Sequence, residues 1–150
     1  MTTAINIRWD ESLSIGIKEI DDDHQELIGY FNRLFAACFA SAGPSIIADT
    51  LAKLVDYTKY HFQREQTLMN KEGYPGFAPH KERHDDFIRT VLKFQERAQS
   101  ESGQSISNDT LEFLQFWIVN HIMESDKAFA NYIKLINTAC DVAGETDLPS

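Results

Sequence analysis

The sequence is poor in cysteine, in positive charge and in uninterrupted apolar stretches, and each shortage removes a class of protein. Its two cysteines, Cys38 and Cys140, stand far apart in a chain long enough to build its own core. No disulfide framework is indicated, and Cys38 reads as a small core residue. Lysine and arginine number 14 against 23 aspartates and glutamates, a formal charge of -9. With the basic residues also scattered, no phosphate-binding face is expected and nucleic acid is excluded as a partner. The longest apolar run, residues 34–40, falls far short of the roughly 20 residues that cross a bilayer, so no membrane span is expected. The opening stretch MTTAINIRWDESLS lacks a basic start followed by an apolar segment, so no secretory signal is read there and the chain is expected to be cytoplasmic. No segment keeps the strict apolar–polar alternation of a half-buried strand.

What remains is an ordinary globular composition, 43% hydrophobic and 25% charged over 150 residues, which fits a single domain burying about two thirds of its unfolded surface. Apolar residues recur at helical spacing in four segments separated by short stretches rich in Gly, Pro, Ser and Asn. The first helix is expected to start at Asp21 to Asp23, whose acids suit a helix N-terminus, with Asp23 and Glu26 as a capping box, and to end near Ala40. Gly43-Pro44 follows. The second is expected over residues 45–72 with Gly73 as its stop, the third over 80–99 after the loop YPGFAP, and the fourth over 108–126 after a loop at 100–107. A short fifth helix is expected over 127–138, an irregular arm over 1–20 and a flexible tail over 139–150. Short loops between long amphipathic helices favour antiparallel neighbours. The fold class is therefore all-α, an antiparallel up-down-up-down four-helix bundle with an N-terminal arm and a short C-terminal fifth helix.

The inward seams carry an anomaly. The second helix runs Ile47, Leu51, Leu54, Thr58, His61, Glu65, Leu68; the third His80, His84, Phe87, Val91, Phe94, Ala98; the fourth Leu111, Leu114, Ile118, His121; the first His24, Ile28, Phe31, Phe35, Cys38. All five histidines and Glu65 thus face a core where an unpaired polar group costs several kcal/mol. In an antiparallel bundle His24, His61, Glu65, His80, His84, His121 and Asp126 also lie at the same end, within a layer about 15 Å deep at the helical rise of 1.5 Å per residue. Asp126 is the awkward member: five residues past His121, it points elsewhere on an undistorted helix, so a local break or bulge is expected there.

Five imidazoles and two carboxylates are a nitrogen and oxygen donor set for a transition-metal pair. If both carboxylates bridge through both oxygens and a solvent-derived oxygen also bridges, two octahedral metals are left with a single open position. That suits a small diatomic or anionic ligand.

In order and spacing these residues resemble the hemerythrins, specifically the single-domain bacterial members: His24 in IDDDHQEL, His61 and Glu65 in HFQRE, His80 and His84 in HKERH, His121 and Asp126 in HIMESD, with Trp9-Asp10 similar to the family's opening. The resemblance covers residues 7–132. It implies two iron ions (Fe2+/Fe3+) with a bridging oxo or hydroxo group: His80, His84 and His121 on one iron, His24 and His61 on the other, and Glu65 and Asp126 bridging. The implied function is reversible O2 binding for transport, storage or delivery rather than catalysis, with NO, azide and similar small molecules as further ligands. Leu27, Phe62, Trp117, Ile118 and Ile122 resemble the family's apolar O2 pocket. Two alternatives are an O2 or redox sensor, since family members occur fused to sensory modules, and a di-iron oxidase or nitric-oxide-reducing enzyme. Against the enzyme, carboxylate-rich oxidative bundles use Glu-x-x-His motifs, and no histidine here follows a glutamate by three residues.

Overall fold

The computed structural model describes residues 6–40, 43–100 and 108–147. Its elements are a 3-10 turn (Glu11–Leu13), α1 (Lys18–Phe39), α2 (Pro44–Lys71), α3 (Phe77–Ser100), α4 (Asn108–Asn120), a π-helical segment (His121–Asp126) and α5 (Lys127–Asp147). α1 packs on α2 and α4, and α2 packs on α3. The four-helix bundle with a C-terminal helix is thus as expected. No helix among the described residues is long and apolar enough to cross a membrane.

The helix boundaries show what local sequence could and could not fix. Pro44 occupies the first turn of α2, where its missing N–H has no intrahelical partner to lose. At the other end Gly73 adopts φ 65, and Tyr74 N–H donates to the Met69 carbonyl at 3.0 Å while Gly73 N–H donates to Asn70 at 3.2 Å. This left-handed glycine stop ties off two of the carbonyls a helix end leaves free. α3 begins at Phe77 rather than His80, taking Pro79 into its first turn, where a residue without N–H is tolerated. The loop expected at 100–107 lies mostly outside the described residues.

Three expectations are corrected. α1 begins at Lys18, not at Asp21 to Asp23, because the preceding arm is held by the helix. Asp21 accepts hydrogen bonds from the Ile15 N–H at 2.8 Å and the Ser14 hydroxyl at 2.5 Å, and Gly16 at φ 83 makes the turn between them. The capping box is not formed, since Asp23 lies a turn inside α1 and is buried. The fifth helix is not short: α5 extends to Asp147, so residues 139–147 are helical where a flexible tail was expected. It continues α4 through the π segment with helical backbone at both junctions, Asn120 (φ -66, ψ -40) and Lys127 (φ -65, ψ -34), and the sequence places no proline in its path before Pro149.

The arm is pinned at several points. Asn32 on α1 both accepts from and donates to the Ile7 backbone at 2.9 Å, and Lys127 reaches the Ser12 carbonyl at 2.7 Å. Ile7, Leu13 and Ile15 are buried beneath it. In the bundle, Phe31, Leu34, Leu51 and Leu114 exclude solvent completely. The buried stripe is wider than a two-position seam: on α2 Val55, Phe62 and Met69 are buried, whereas Leu68 is only half-buried. Cys38 is a half-buried free thiol packed against this core, and burial pushes its pKa up.

Replacing Phe31 by alanine is expected to cost about 3–5 kcal/mol, read as a fall in the denaturation midpoint at unchanged slope; a loss under about 1 kcal/mol contradicts this core assignment.

Candidate metal centre

The antiparallel arrangement brings the start of α1, the end of α2, the start of α3 and the π segment to one pole of the bundle. All seven side chains singled out in the sequence meet there, each at least nine-tenths buried. They form two groups whose nitrogen and oxygen atoms lie within 4.8 Å of one another: Glu65, His80, His84, His121 and Asp126, and His24, His61, Glu65 and Asp126. Both carboxylates belong to both groups.

The bulge anticipated before Asp126 is the π segment His121–Asp126. A π-helix bonds residue i to i+5, so residues five apart align much as residues four apart do in an α-helix. His121 and Asp126 therefore face the same way, with His121 Nε2 at 3.2 Å from Asp126 Oδ1.

The carboxylate oxygens are divided between the groups. Glu65 Oε1 lies 2.7 Å from His80 Nε2 and 3.3 Å from His84 Nε2, while its Oε2 lies 3.4 Å from His61 Nε2 and 3.9 Å from His24 Nε2. Asp126 Oδ1 faces His80 at 3.1 Å, and its Oδ2 faces His24 at 2.8 Å. All five histidines turn Nε2 inward, and His84 and His121 bring theirs within 2.9 Å of each other.

His80 Nε2 and Glu65 Oε1 are hydrogen-bonded, but most of the other close approaches are not hydrogen bonds. Both nitrogens of His24, Oε2 of Glu65 and both oxygens of Asp126 are buried without a hydrogen-bond partner, although charged or polar neighbours are close. Lone pairs aimed at one another in a dry pocket are the arrangement that a bound cation resolves, so these residues fit a metal.

Two of these imidazoles are held from behind. Asp23, read in the sequence as a helix start, is buried and places Oδ2 at 3.1 Å from His61 Nδ1. Its other oxygen accepts from the Tyr57 hydroxyl at 3.3 Å and the Arg64 guanidinium at 3.5 Å. The Gln66 amide lies 2.9 Å from His84 Nδ1. Such partners fix which nitrogen carries the proton and leave Nε2 free for a metal. Asp23 had a signal in the sequence: it is three residues after buried Ile20 and one before His24, on the apolar stripe of α1. Gln66 had none beyond adjacency to Glu65.

The titration behaviour follows from this packing. Burial opposes charge on His61, but its bonds to Asp23 and Glu65 and the charges of Glu65 and Asp126 outweigh it and raise the pKa to about 10. At His80 burial is outweighed by Asp126 and Glu65, giving about 9. His84 goes the other way, to about 4, because burial and the neighbouring His121 and His80 outweigh Glu65. Burial, and for Glu65 the charge of Asp126, opposes ionisation of the two carboxylates, yet the surrounding imidazoles hold both below the ordinary range.

Residues 15–133 match the family model of the hemerythrin HHE cation binding domain. The chain belongs to the hemerythrin family. It is 36% identical to the bacteriohemerythrin of Stenotrophomonas maltophilia over 84% of this chain and 80% of that one. It is 32% identical to the bacteriohemerythrin of Pseudomonas aeruginosa over the same shares. The crystal structure of wild-type hemerythrin superposes with a TM-score of 0.76 at 30% identity, covering 85% of this chain and 97% of that one.

Among the residues expected to line a ligand pocket, Phe62 stacks face to face on His84 at 3.6 Å and approaches His61 at 6.0 Å. Trp117 stacks on His121 at 4.3 Å, so it buttresses the three-histidine group. Leu27, Ile118 and Ile122 are buried in the apolar core.

Two outcomes test this geometry. Asp23→Ala is expected to weaken metal binding by about 10–100-fold with the helicity retained; unchanged affinity in a metal titration contradicts its supporting role. Because His61 and His80 have raised pKa values, both are protonated near neutral pH in the metal-free protein and a metal must displace those protons. Loading is expected to acidify a weakly buffered solution and to weaken as pH falls, whereas pH-independent uptake contradicts it.

Proposed function

We propose that this chain binds O2 reversibly at a di-iron centre, with His24 and His61 on one iron, His80, His84 and His121 on the other, and Glu65 and Asp126 bridging. The observation that carries the reading is the division of carboxylate oxygens: each acid presents one oxygen to each histidine group. A pair of bridging carboxylates needs that disposition, and a set of unrelated buried ion pairs does not. When bound, the iron pair supplies the electrons that make capture of O2 reversible.

The rest is the work of the chain's own side chains. The group with His24 and His61 has one histidine fewer, so it is the side where a small ligand finds room. Leu27, Ile118 and Ile122 wall that side with groups that carry no proton donor, and Phe62 reaches both sides. An apolar wall excludes water and withholds the protons that would carry reduced oxygen away. Asp23 holds His61 in one tautomer on the ligand-binding side, and Gln66 and Trp117 hold His84 and His121 on the other.

The donor set favours carriage over oxidation. Five neutral imidazoles and two carboxylates offset less of the irons' charge than a carboxylate-rich set does, so higher oxidation states are less accessible. Carrier, storage or delivery protein is therefore the reading, ahead of oxidase or sensor.

Iron loading, anaerobic reduction and exposure to O2 are expected to give a visible absorption that persists in air and disappears on purging. Rapid, irreversible bleaching under O2 contradicts a carrier and supports an oxidase. His121→Ala is expected to abolish stable loading while leaving most of the helicity by circular dichroism; an unchanged iron content contradicts the ligand assignment.

A further inference from the structure

Behind the two-histidine side of the proposed centre, the buried Asp23 carboxylate divides its oxygens. Its Oδ2 lies 3.1 Å from His61 Nδ1, whereas its Oδ1 accepts from the Tyr57 hydroxyl at 3.3 Å and the Arg64 guanidinium at 3.5 Å. Tyr57 and Arg64 stand one turn before and one turn after His61 on α2, so one helix carries the imidazole and both groups that act on its support. Burial and the charge of Asp23 push the Tyr57 pKa up, and the hydroxyl keeps the proton it donates. Arg64 reaches in from the surface with its side chain 41% exposed. The same guanidinium nitrogen donates to the Tyr60 hydroxyl at 3.2 Å, and the Tyr60 ring packs 5.7 Å from that of Tyr57.

With Nε2 of His61 given to a metal, Nδ1 carries the proton and Asp23 accepts it. A carboxylate in that position draws the proton toward itself and makes the imidazole a stronger electron donor, which favours the higher oxidation state of a bound metal. Behind His84 the partner is instead the neutral Gln66 amide, at 2.9 Å from Nδ1. Left to itself, Asp23 would bias the two-histidine side toward ferric iron, which lacks the electrons that capture of O2 needs. Donors on its other oxygen compete for the same negative charge, and a guanidinium also offsets that charge directly.

We propose that Tyr57 and Arg64 are positioning residues that draw charge away from the Asp23–His61 hydrogen bond, holding up the reduction potential of the iron pair and so favouring the ferrous form. The proposal rests on the O2-binding reading above and deepens it. Removing either donor leaves more of the Asp23 charge on the bond to His61 and stabilises ferric iron. Replacing Asp23 by asparagine does the reverse, because a neutral carbonyl still accepts from His61 but pulls less on its proton. This opposition of sign separates tuning from loosening. A merely slackened His61 ring would move all three variants in one direction.

The test compares Y57F, R64M and D23N with the unaltered protein, each loaded once with zinc and once with iron. In the redox-inert zinc protein, nuclear magnetic resonance reads the His61 Nδ1 proton. Its resonance is expected to move downfield in Y57F and R64M, as the hydrogen bond strengthens, and upfield in D23N. In the iron protein, an anaerobic redox titration followed by absorption is expected to show the ferric-to-ferrous ratio at a fixed potential rising by about threefold to tenfold in Y57F and R64M and falling in D23N. The R64M displacement is expected to shrink at high salt, which screens a part-exposed charge, while that of Y57F persists. Resonance and ratio unchanged in Y57F and R64M, or all three variants displaced alike, overturns the proposal. Reversible O2 uptake by the unaltered iron protein is read separately. Opposed displacements without O2 uptake uphold the tuning and condemn the carrier reading, whereas O2 uptake without displacements condemns the tuning alone.

Discussion

Glu65 and Asp126 each turn one oxygen to a group of three histidines and the other to a group of two, and the remainder of the bundle is arranged to keep them there. Buried carboxylates and imidazoles with no hydrogen-bond partner are expensive in an apolar interior. Four helical segments must deliver them to the same pole, which fixes the antiparallel order, and the π segment must turn Asp126 back onto the face of His121. The opposite pole is free of this demand. Away from the site Phe31, Leu34, Leu51 and Leu114 are completely buried, so the apolar body of the bundle supplies the packing that holds the polar end together. Metal binding in such a site is coupled to stability, since the cation relieves groups that the fold alone leaves opposed.

Much of this was legible in the sequence, for a definite reason. A 3.6-residue period assigns each residue a face, and the order of helices assigns it a level, so seven polar residues on inward faces at one end could be placed together without coordinates. The five-residue step from His121 to Asp126 even required the distortion found at His121–Asp126. What local reasoning missed were tertiary effects. Three consecutive acids look like a helix start, but Asp21 caps the incoming arm and Asp23 supports His61. The extension of α5 past Thr138 reflects helical continuity through the π segment, which a reading of separate helices does not anticipate.

The two sides of the centre are supported differently. On the two-histidine side, His61 is tied through Asp23 to Tyr57 and to the half-exposed Arg64, so a charged surface residue stands two hydrogen bonds from the His61 ring. On the three-histidine side, Phe62 stacks on His84 and Trp117 on His121, and the Gln66 amide meets His84 Nδ1 from behind.

Iron anomalous scattering from crystals of the loaded protein decides whether both carboxylates bridge a metal pair. Two iron peaks are expected, each bonded to one oxygen of Glu65 and one of Asp126, with His80, His84 and His121 at one peak and His24 and His61 at the other. A single peak, or two peaks that do not share those carboxylates, contradicts it.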